Sequence, residues 1–421
     1  MKRTFLATAL SVALTAAAVG TAEAQTYRSF AEEYAGLVRS ARLRLGPLLF
    51  FPSLTLSNLG YDDNVYYGGP EKSRVRDYHA TLSPGLKVYW PFRGTLIAWL
   101  RENPEYVFYL RESYQRALKN SWAAGARYLL FHRFALDAEY IREARRQRLS
   151  REWPVPVDDV VESWQAGVHF ETARRTAFGL TAFARRLGYE EVAAGEAASA
   201  LGRLFNRREK GAQAELFYQV FVDGYAFLLG RWMDYAFDDP SQYYRNAREA
   251  SLGLGIRFPL LGRLRGTLNL GYKNFEATAE GLKPYRGLTG DTGLDFQSGR
   301  FILRLAYKRD IVFSVYEGAG YYVEDGWGGG LSFRLTRVFK VDYNYEAGRT
   351  AYPGWIGEAE SDFGAASGRK DRQIQHAFGL TVRLSKALGV NVAWNALRWR
   401  STLPSFDRSR NYLGVNLTTD F

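Results

Sequence analysis

The sequence predicts an all-β protein, a transmembrane antiparallel β-barrel of the bacterial outer membrane. Three observations support this class. The chain starts like an exported protein, apolar and polar residues alternate with a period of two along nearly its whole length, and the last strand ends on Phe421. A strand that crosses lipid must pair all of its backbone groups within the protein, so a sheet of such strands has to close on itself.

The first 24 residues predict export. Lys2 and Arg3 precede an apolar run over 5–19, and small residues flank the end of the segment at Ala22 and Ala24. This pattern is typical of a signal peptide, here residues 1–24 with cleavage after Ala24. The alternative, an N-terminal anchor helix, is disfavoured because the apolar run is short for a membrane span.

The spacing of apolar residues in 25–47 predicts a short periplasmic helical segment. Phe30, Tyr34, Leu37 and Val38 recur at helical spacing. Such a helix could lie at the rim of the barrel, or it could act as a plug or as a docking element for a periplasmic partner. The residues leave these alternatives open.

The alternation of apolar and polar residues over 48–421 predicts that this part of the chain forms the barrel. In the segment 300–313, for example, Phe301, Leu303 and Leu305 alternate with Arg304 and Lys308. About 18 segments of this kind, each about 12–15 residues long, suit tilted membrane spans, although 16 is possible. Short links alternate with long ones, as expected for periplasmic turns and outer loops. A soluble β-sandwich would have shorter strands and would bury its apolar face.

The last strand also alternates, with Leu413, Val415, Leu417 and Phe421 on one face. It resembles the C-terminal strand of bacterial outer-membrane barrels, which serves as their assembly signal. The resemblance implies an integral outer-membrane protein that contacts outer-membrane lipids and the barrel-assembly machinery. The chain has no cysteine and a formal net charge of +12. A basic surface favours anionic partners, but an exported chain without a recognition motif is not expected to bind nucleic acid.

The catalytic inventory predicts that the protein is not an enzyme and holds no cofactor or metal. Of four histidines, only His79 and His169 are predicted to face inward, and neither lies in a serine nucleophile motif. A Ser–His pair formed across strands stays possible at this stage. The triplet Asp62-Asp63-Asn64 lacks the ligand spacing of a helix–loop–helix calcium site.

The predicted inner wall is charged, which favours transport as the function. A barrel of 16–18 strands leaves an aqueous channel unless it is plugged. A basic excess on the wall would favour anionic or strongly hydrated cargo, or the mixed charges could simply keep a wide lumen wet. Aromatic side chains could stack on sugar rings. The wall residues predicted to form the path are Lys87, Arg101, Arg127, Arg185, Arg257, Lys273, Arg304, Lys308, Arg334, Lys340 and Arg383, with the aromatic residues Trp99 and Tyr109.

Two stretches carry a resemblance to a known family. "PSLTLSNLGYDDNVYYGG" followed by "ATLSPGLKVYW" resembles the first two strands of a family of β-barrel porins found in exopolysaccharide and capsule systems, and "FNRREKGAQAELFYQV" is similar to its middle part. The motif residues are Gly60, Tyr61, Asp62, Asn64 and Val65.

The resemblance implies a channel that exports an exopolysaccharide or capsular polysaccharide. Because the chain has no long periplasmic helical-repeat domain, a periplasmic polysaccharide export protein is an expected partner. We interpret the Asp62-Asp63-Asn64 triplet as the end of the first strand, with Tyr61, Tyr66 and Tyr67 as aromatic residues at the rim.

Two other functions fit the sequence. One is a general or anion-favouring diffusion porin for small solutes, which usually has a large loop folded into the lumen; residues 351–370 are the longest candidate. The other is a surface or structural barrel that acts through its outer loops.

Overall fold

The computed structural model describes residues 30–41, 43–68, 74–131, 133–148, 152, 156–172, 175–190, 202–221, 224–260, 263–279, 282–315, 319–353, 369–385, 388–402 and 406–420. Residues 1–29 and Phe421 therefore lie outside the described residues, and with them the predicted signal peptide, its cleavage after Ala24 and the predicted assembly signal.

The described chain starts with a helix and continues almost entirely as strands. These are α1 Phe30–Ser40, β1 Leu43–Leu45, β2 Leu48–Asp62, β3 Asp77–Phe92, β4 Leu96–Tyr109, β5 Ala117–Leu130, β6 Phe134–Arg148, β7 Pro156–Glu171, β8 Thr176–Glu190, β9 Arg207–Phe221, β10 Gly224–Phe237, β11 Ala247–Leu260, β12 Leu264–Ala277, β13 Tyr285–Ser298, β14 Phe301–Phe313, β15 Tyr321–Arg334, β16 Phe339–Ala351, β17 Lys370–Arg383, β18 Leu388–Ser401 and β19 Arg408–Asp420. Short 3₁₀ helices, Ser113–Gln115 and Pro240–Arg245, lie in two of the long loops.

Strands β2–β19 form a closed antiparallel barrel. Each strand pairs with the next one along the chain, and β19 pairs with β2. The short β1 pairs with the start of β2. The prediction of an 18-stranded barrel is confirmed, and 16 strands are excluded. Across the described residues, no helix has the length and hydropathy needed to span a bilayer.

The two faces of the wall alternate as the sequence predicts. On β12, Leu270 and Tyr272 are 66% and 51% exposed, whereas their neighbours Lys273 and Phe275 are 8% and 4% exposed. A soluble sandwich would bury its apolar face, but here that face points outward, where lipid surrounds a membrane barrel. The hairpin connections define two ends, a long-loop end and a short-turn end, which in bacterial barrels face outside and the periplasm respectively.

The barrel closes at a junction between β2 and β19 that depends on a β-bulge. Asn58 adopts φ +56°, and the register of β2 against β3 shifts between Ser57 and Gly60. One extra residue exchanges the two faces of a strand. Even-numbered residues above the bulge therefore face inward, and Asp62 is 1% exposed. A Cβ atom at Gly60 would lie 2.1 Å from the carbonyl oxygen of Leu413, so only glycine fits this close approach.

The Asp62-Asp63-Asn64 triplet ties the first barrel strand to the last. Asp62 accepts hydrogen bonds from the guanidinium group of Arg410, at 2.8 Å from Nε. Asp63 Oδ2 accepts one from Asn411 Nδ2 at 2.9 Å. Asn64 Nδ2 donates to the carbonyl oxygen of Ser409 at 2.8 Å. The triplet ends the first barrel strand, as we interpreted it, and it also holds the closure of the barrel.

Tyr67, expected as an aromatic residue at the rim, packs inward against the end of the barrel. It is 7% exposed, with the Arg410 guanidinium 4.6 Å above its ring. The loop after β2 turns back onto the barrel because Asn64 Oδ1 accepts a hydrogen bond from the amide of Gly68. Val65, also in the motif, is 5% exposed, and its amide donates to the carbonyl oxygen of Val75. The motif is therefore packed against the barrel end.

Candidate transport path

The predicted wall residues occupy the inward-facing positions of their strands. On β4, for example, Trp99 and Arg101 alternate with Leu100, which is 47% exposed on the outer face. The same alternation places every predicted wall residue inward: Lys87 on β3, Trp99, Arg101 and Tyr109 on β4, Arg127 on β5, Arg185 on β8, Arg257 on β11, Lys273 on β12, Arg304 and Lys308 on β14, Arg334 on β15, Lys340 on β16 and Arg383 on β17.

Carboxylates neutralise many of these cations locally. The ion pairs join Arg101 to Glu139, Arg127 to Glu33, Arg185 to Glu209, Lys273 to Glu249 and Asp310, Arg304 to Asp295, and Lys340 to Asp342. The indole nitrogen of Trp99 donates to the same Glu139 at 3.0 Å. The basic excess of the wall is therefore smaller than the sequence suggests along most of its height.

Cations without an ion pair to a described carboxylate cluster towards the short-turn end, whereas Lys308, which also has none, lies at mid-height on β14. Arg334 and Arg383 end their strands there, and Lys87 lies five residues before its turn. All three side chains are exposed, and no carboxylate of the described residues lies within ion-pair distance of them. An anion that enters the barrel from this end meets unneutralised cations first.

At the long-loop end, the hairpin of β14 and β15 separates from β13 and bends into the lumen, while β15 stays paired with β16 as far as Val323 and Ala351. Pairing between β13 and β14 stops at Gly290 and Arg309, whereas β14 stays paired with β15 as far as Phe313 and Tyr321. We call the part of β14 and β15 beyond Arg309 the inward hairpin. Its release from β13 frees it to tilt across the barrel.

Packing shows where the inward hairpin goes. Ile311 and Val323 have the parity of the lipid-facing side of their strands, yet they are 6% and 7% exposed. They share one buried cluster with Met233, Tyr235 and Phe275, which face inward from β10 and β12. The outer side of the hairpin therefore rests on the inner side of the wall, so the hairpin lies inside the lumen.

Edge-on contacts between aromatic rings and one partly buried ion pair hold the inward hairpin against the wall. The ring of Phe313 meets the rings of Tyr235, Phe237 and Phe275 edge-on at 5.1–5.6 Å. Beside them, Lys273 Nζ on the wall binds Asp310 Oδ1 of the hairpin at 2.7 Å. Burial makes each of these contacts costly to break without a replacement.

A glutamate from another long loop holds the tip of the inward hairpin. Glu152, between β6 and β7, accepts hydrogen bonds from the hydroxyl of Ser314 at 2.9 Å and from the amide of Val315 at 2.6 Å. Burial raises the pKa of Glu152 from 4.5 to about 7, although those hydrogen bonds and the nearby Arg369 act to lower it. This carboxyl group therefore titrates near neutral pH.

The raised pKa of Glu152 predicts that acid favours the inward position of the hairpin. The Glu152 carboxyl group that accepts the hydrogen bonds of the hairpin tip binds a proton more tightly than the same group in water. The contact between Glu152 and the inward hairpin therefore becomes more stable as the pH falls from 7 towards 4.5. It becomes less stable as the pH rises through that window. We expect lower channel conductance at pH 5 than at pH 8. Glu152→Gln, which stays neutral, should remove this dependence. A wild-type response that persists in the variant would show that another group is responsible.

The helix α1 occupies the other end of the path. Its Glu33 carboxylate binds Arg127 at 2.7 Å, and Arg127 faces inward three residues before the end of β5. Phe30 is 2% exposed and stacks on Tyr34. The predicted helix is present, and it lies against the inner wall near the short-turn end.

Sequence reasoning missed the residues of the inward hairpin. The loop named as the candidate constriction, 351–370, lies largely outside the described residues. The structure instead uses Ile311, Phe313, Tyr321 and Val323, whose alternation is indistinguishable from that of a lipid-facing strand. The only sequence signal for this contact was a pair of opposite charges on the polar faces of two strands, Asp310 and Lys273.

Inward histidines form contacts with carboxylates rather than with nucleophiles. His169 Nε2 lies 2.8 Å from Asp137, and His79 Nε2 lies 3.8 Å from Asp62. His79 also lies between the rings of Tyr109 and Tyr412, each at 5.3 Å. His376 faces outward, as predicted, and its Nδ1 is 3.0 Å from the hydroxyl of Tyr343. These contacts hold neighbouring strands together.

Comparisons with known proteins agree with this architecture. A family model described as Putative beta-barrel porin 2 matches residues 161–421. No curated protein matches the chain by sequence. Among solved structures, the outer membrane protein OpdK from Pseudomonas aeruginosa has a TM-score of 0.52 and 13% identity over 88% of this chain and 98% of its own. OpdL from the same organism has a TM-score of 0.50 and 14% identity over 90% of this chain and 100% of its own. Such low identities show the shared barrel fold alone.

Proposed function

Because this chain belongs to the Putative beta-barrel porin 2 family, and is thus an outer-membrane barrel of the porin type, we propose that it is a constricted channel for hydrophilic solutes. The matched residues include the mid-chain stretch that resembles the family, whereas the two N-terminal stretches lie before the match. The observation that carries the proposal is the inward hairpin, which narrows the long-loop end above a charged wall.

The inward hairpin favours a diffusion porin over a polysaccharide export channel. A segment folded into the lumen is the feature expected of a diffusion porin, so that function now ranks above polysaccharide export. Charged side chains of neighbouring strands pair with one another along the inner wall, and charged walls of this kind are found in channels that pass hydrated solutes. Exposed Lys87, Arg334 and Arg383 at the short-turn end support a preference for anions.

Solute uptake by proteoliposomes tests this proposal. The purified chain should admit monosaccharides and disaccharides, with uptake that falls steeply as the sugar lengthens, because the hairpin limits the opening. Gluconate should enter faster than an uncharged sugar of equal size, and R334Q/R383Q should reduce that advantage. Vesicles that admit no small sugar would contradict a channel function and would favour a barrel that acts through its outer loops.

Polysaccharide export is the second candidate, because aromatic side chains line the inner wall beside charges. Trp99 lies on the inner wall under the Arg101 guanidinium, with its indole nitrogen on Glu139. Tyr89 faces inward on the adjacent strand, in register with Trp99. Aromatic faces next to polar groups suit sugar rings, and a periplasmic export protein would then deliver the polymer to the short-turn end.

Deletion of the gene separates the two candidates. Loss of cell-surface polysaccharide that returns with the wild-type gene, but not with W99A, would establish export. Unchanged polymer with reduced uptake of small solutes would establish the diffusion porin. Because Trp99 lies on the wall away from the inward hairpin, W99A should leave the conductance for small ions close to that of the wild type.

A further inference from the structure

Arginine side chains form a row on the outer, lipid-facing side of the barrel near the long-loop end. Arg349 on β16 pairs directly with Arg372 on β17, and Arg372 pairs directly with Arg400 on β18. Arg398 lies two residues below Arg400 on the same face, and all four side chains are exposed. We call these four residues the outer arginine row.

The outer arginine row lies above the apolar belt of the same strands. Below Arg372 the outward positions of β17 pass through His376 to Phe378, which is 50% exposed. On β18 the outward position four residues below Arg398 is Trp394, 39% exposed. Exposed aromatic residues mark the boundary between hydrocarbon and headgroups in membrane barrels. The arginines therefore lie at the level of the outer-leaflet headgroups.

Among the residues that the structure describes, carboxylates do not neutralise the row. Asp325 stands opposite Arg349 on the neighbouring strand, but its two carboxylate oxygens accept hydrogen bonds from Arg309 Nη1 at 2.9 and 3.1 Å. No ion pair joins any carboxylate of the described ranges to Arg372, Arg398 or Arg400. Like charges directly opposite one another on neighbouring strands destabilise a sheet, so an external anion would relieve their repulsion.

Three outward arginines elsewhere on the barrel are different. Arg208 on β9, Arg248 on β11 and Arg286 on β13 also lie near the long-loop end, and each has a carboxylate partner, Asp238, Asp234 and Glu276 respectively. These three arginines are balanced by described carboxylates; Arg186 on β8, exposed opposite Arg208, is not, but only β16–β18 carry such unpaired arginines side by side on three adjacent strands.

We propose that the outer arginine row binds the phosphate groups of an outer-leaflet amphiphile, a diphosphorylated glycolipid of the lipid A type. Arginine is the side chain best suited to phosphate because its planar fork donates two parallel hydrogen bonds. Strands lie about 4.8 Å apart, so three adjacent arginines span the width of a headgroup with more than one phosphate. The lipid-facing position places acyl chains along the apolar belt below. This site is independent of what passes through the channel.

Native mass spectrometry of the full mature chain in a neutral detergent tests the site. Diphosphoryl lipid A should bind with defined stoichiometry, and R349Q/R372Q/R400Q should weaken binding at least about tenfold. The matched control R208Q/R248Q/R286Q removes the same number of outward arginines and should bind within twofold of the wild type. If the triple variant folds poorly, the single variant R372Q replaces it, and its affinity for diphosphoryl lipid A should fall about threefold.

Three results of the binding experiment would overturn the proposal. The triple variant could keep its affinity for diphosphoryl lipid A, or the control could lose as much as the triple variant. Phosphatidylglycerol could also bind as tightly as diphosphoryl lipid A, which would show a response to any anionic headgroup. A separate thermal-unfolding arm uses inorganic phosphate at the same concentration. A rise in the unfolding temperature as large as that with lipid A would identify a site for free phosphate rather than for lipid.

Discussion

Phe313→Ala is expected to open the long-loop end of the channel. Phe313 carries most of the aromatic contact between the inward hairpin and the wall, through the rings of Tyr235, Phe237 and Phe275. Truncation of this partly buried phenylalanine costs about 2 kcal/mol, which shifts an equilibrium between inward and released hairpin about 30-fold. Single-channel recordings should show frequent transitions to a level at least about twofold above that of the wild type.

Phe301→Ala is the matched control for that experiment. Phe301 begins the same strand at the short-turn end, where it is 50% exposed on the outer face and stacks on Phe333. Its truncation removes the same atoms without touching the inward hairpin, so conductance should stay at the wild-type level. Equal conductance in F313A and the wild type would mean that the hairpin does not limit the path.

Asp62→Ala is expected to destabilise the closed barrel more than any other single change at the junction of β2 and β19. Asp62 is buried, and it holds the Arg410 guanidinium of the last strand beside His79. Removal of one partner from a buried ion pair leaves the other charge unpaired and costs about 3–5 kcal/mol. We expect a lower urea midpoint for unfolding in detergent, and a lower temperature at which the compact band on a gel is lost.

Asp63→Ala provides the comparison for Asp62. The neighbouring carboxylate binds Asn411 of the same strand, but these hydrogen bonds are exposed to solvent. Solvent-exposed hydrogen bonds contribute little, so the loss should be about 1 kcal/mol or less. If D63A destabilised the barrel as much as D62A, the buried contact with Arg410 would not be what closes it.

Local patterns were sufficient to predict the wall. The alternation of Leu268, Leu270 and Tyr272 with Lys273 and Phe275 appears in the printed sequence and recurs in the exposures of the same side chains. A period of two identifies the faces of a strand without knowledge of its neighbours. Link lengths then give strand number and orientation, because each hairpin in an up-and-down barrel joins adjacent strands.

The closure motif was recognisable, but its role was not. Asp62, Asp63 and Asn64 mark the end of β2 in the sequence, whereas their partners Ser409, Arg410 and Asn411 lie about 350 positions away. The bulge at Asn58, which turns Asp62 inward, also leaves no pattern that distinguishes it from regular alternation. Single-sequence patterns carry no information about which distant strand meets the first one.

By itself the sequence determined that this chain is a closed barrel of about 18 strands with a charged inner wall, because alternation, strand length and link length are local properties. Only the tertiary structure decided where the lumen is narrowed and which charges stay unneutralised. Ile311 and Val323 look like lipid-facing residues until β14 leaves β13 and packs on Phe275. Arg349, Arg372 and Arg400 become one row only when β16, β17 and β18 come into register. Both features depend on contacts between strands, which no period along the chain encodes.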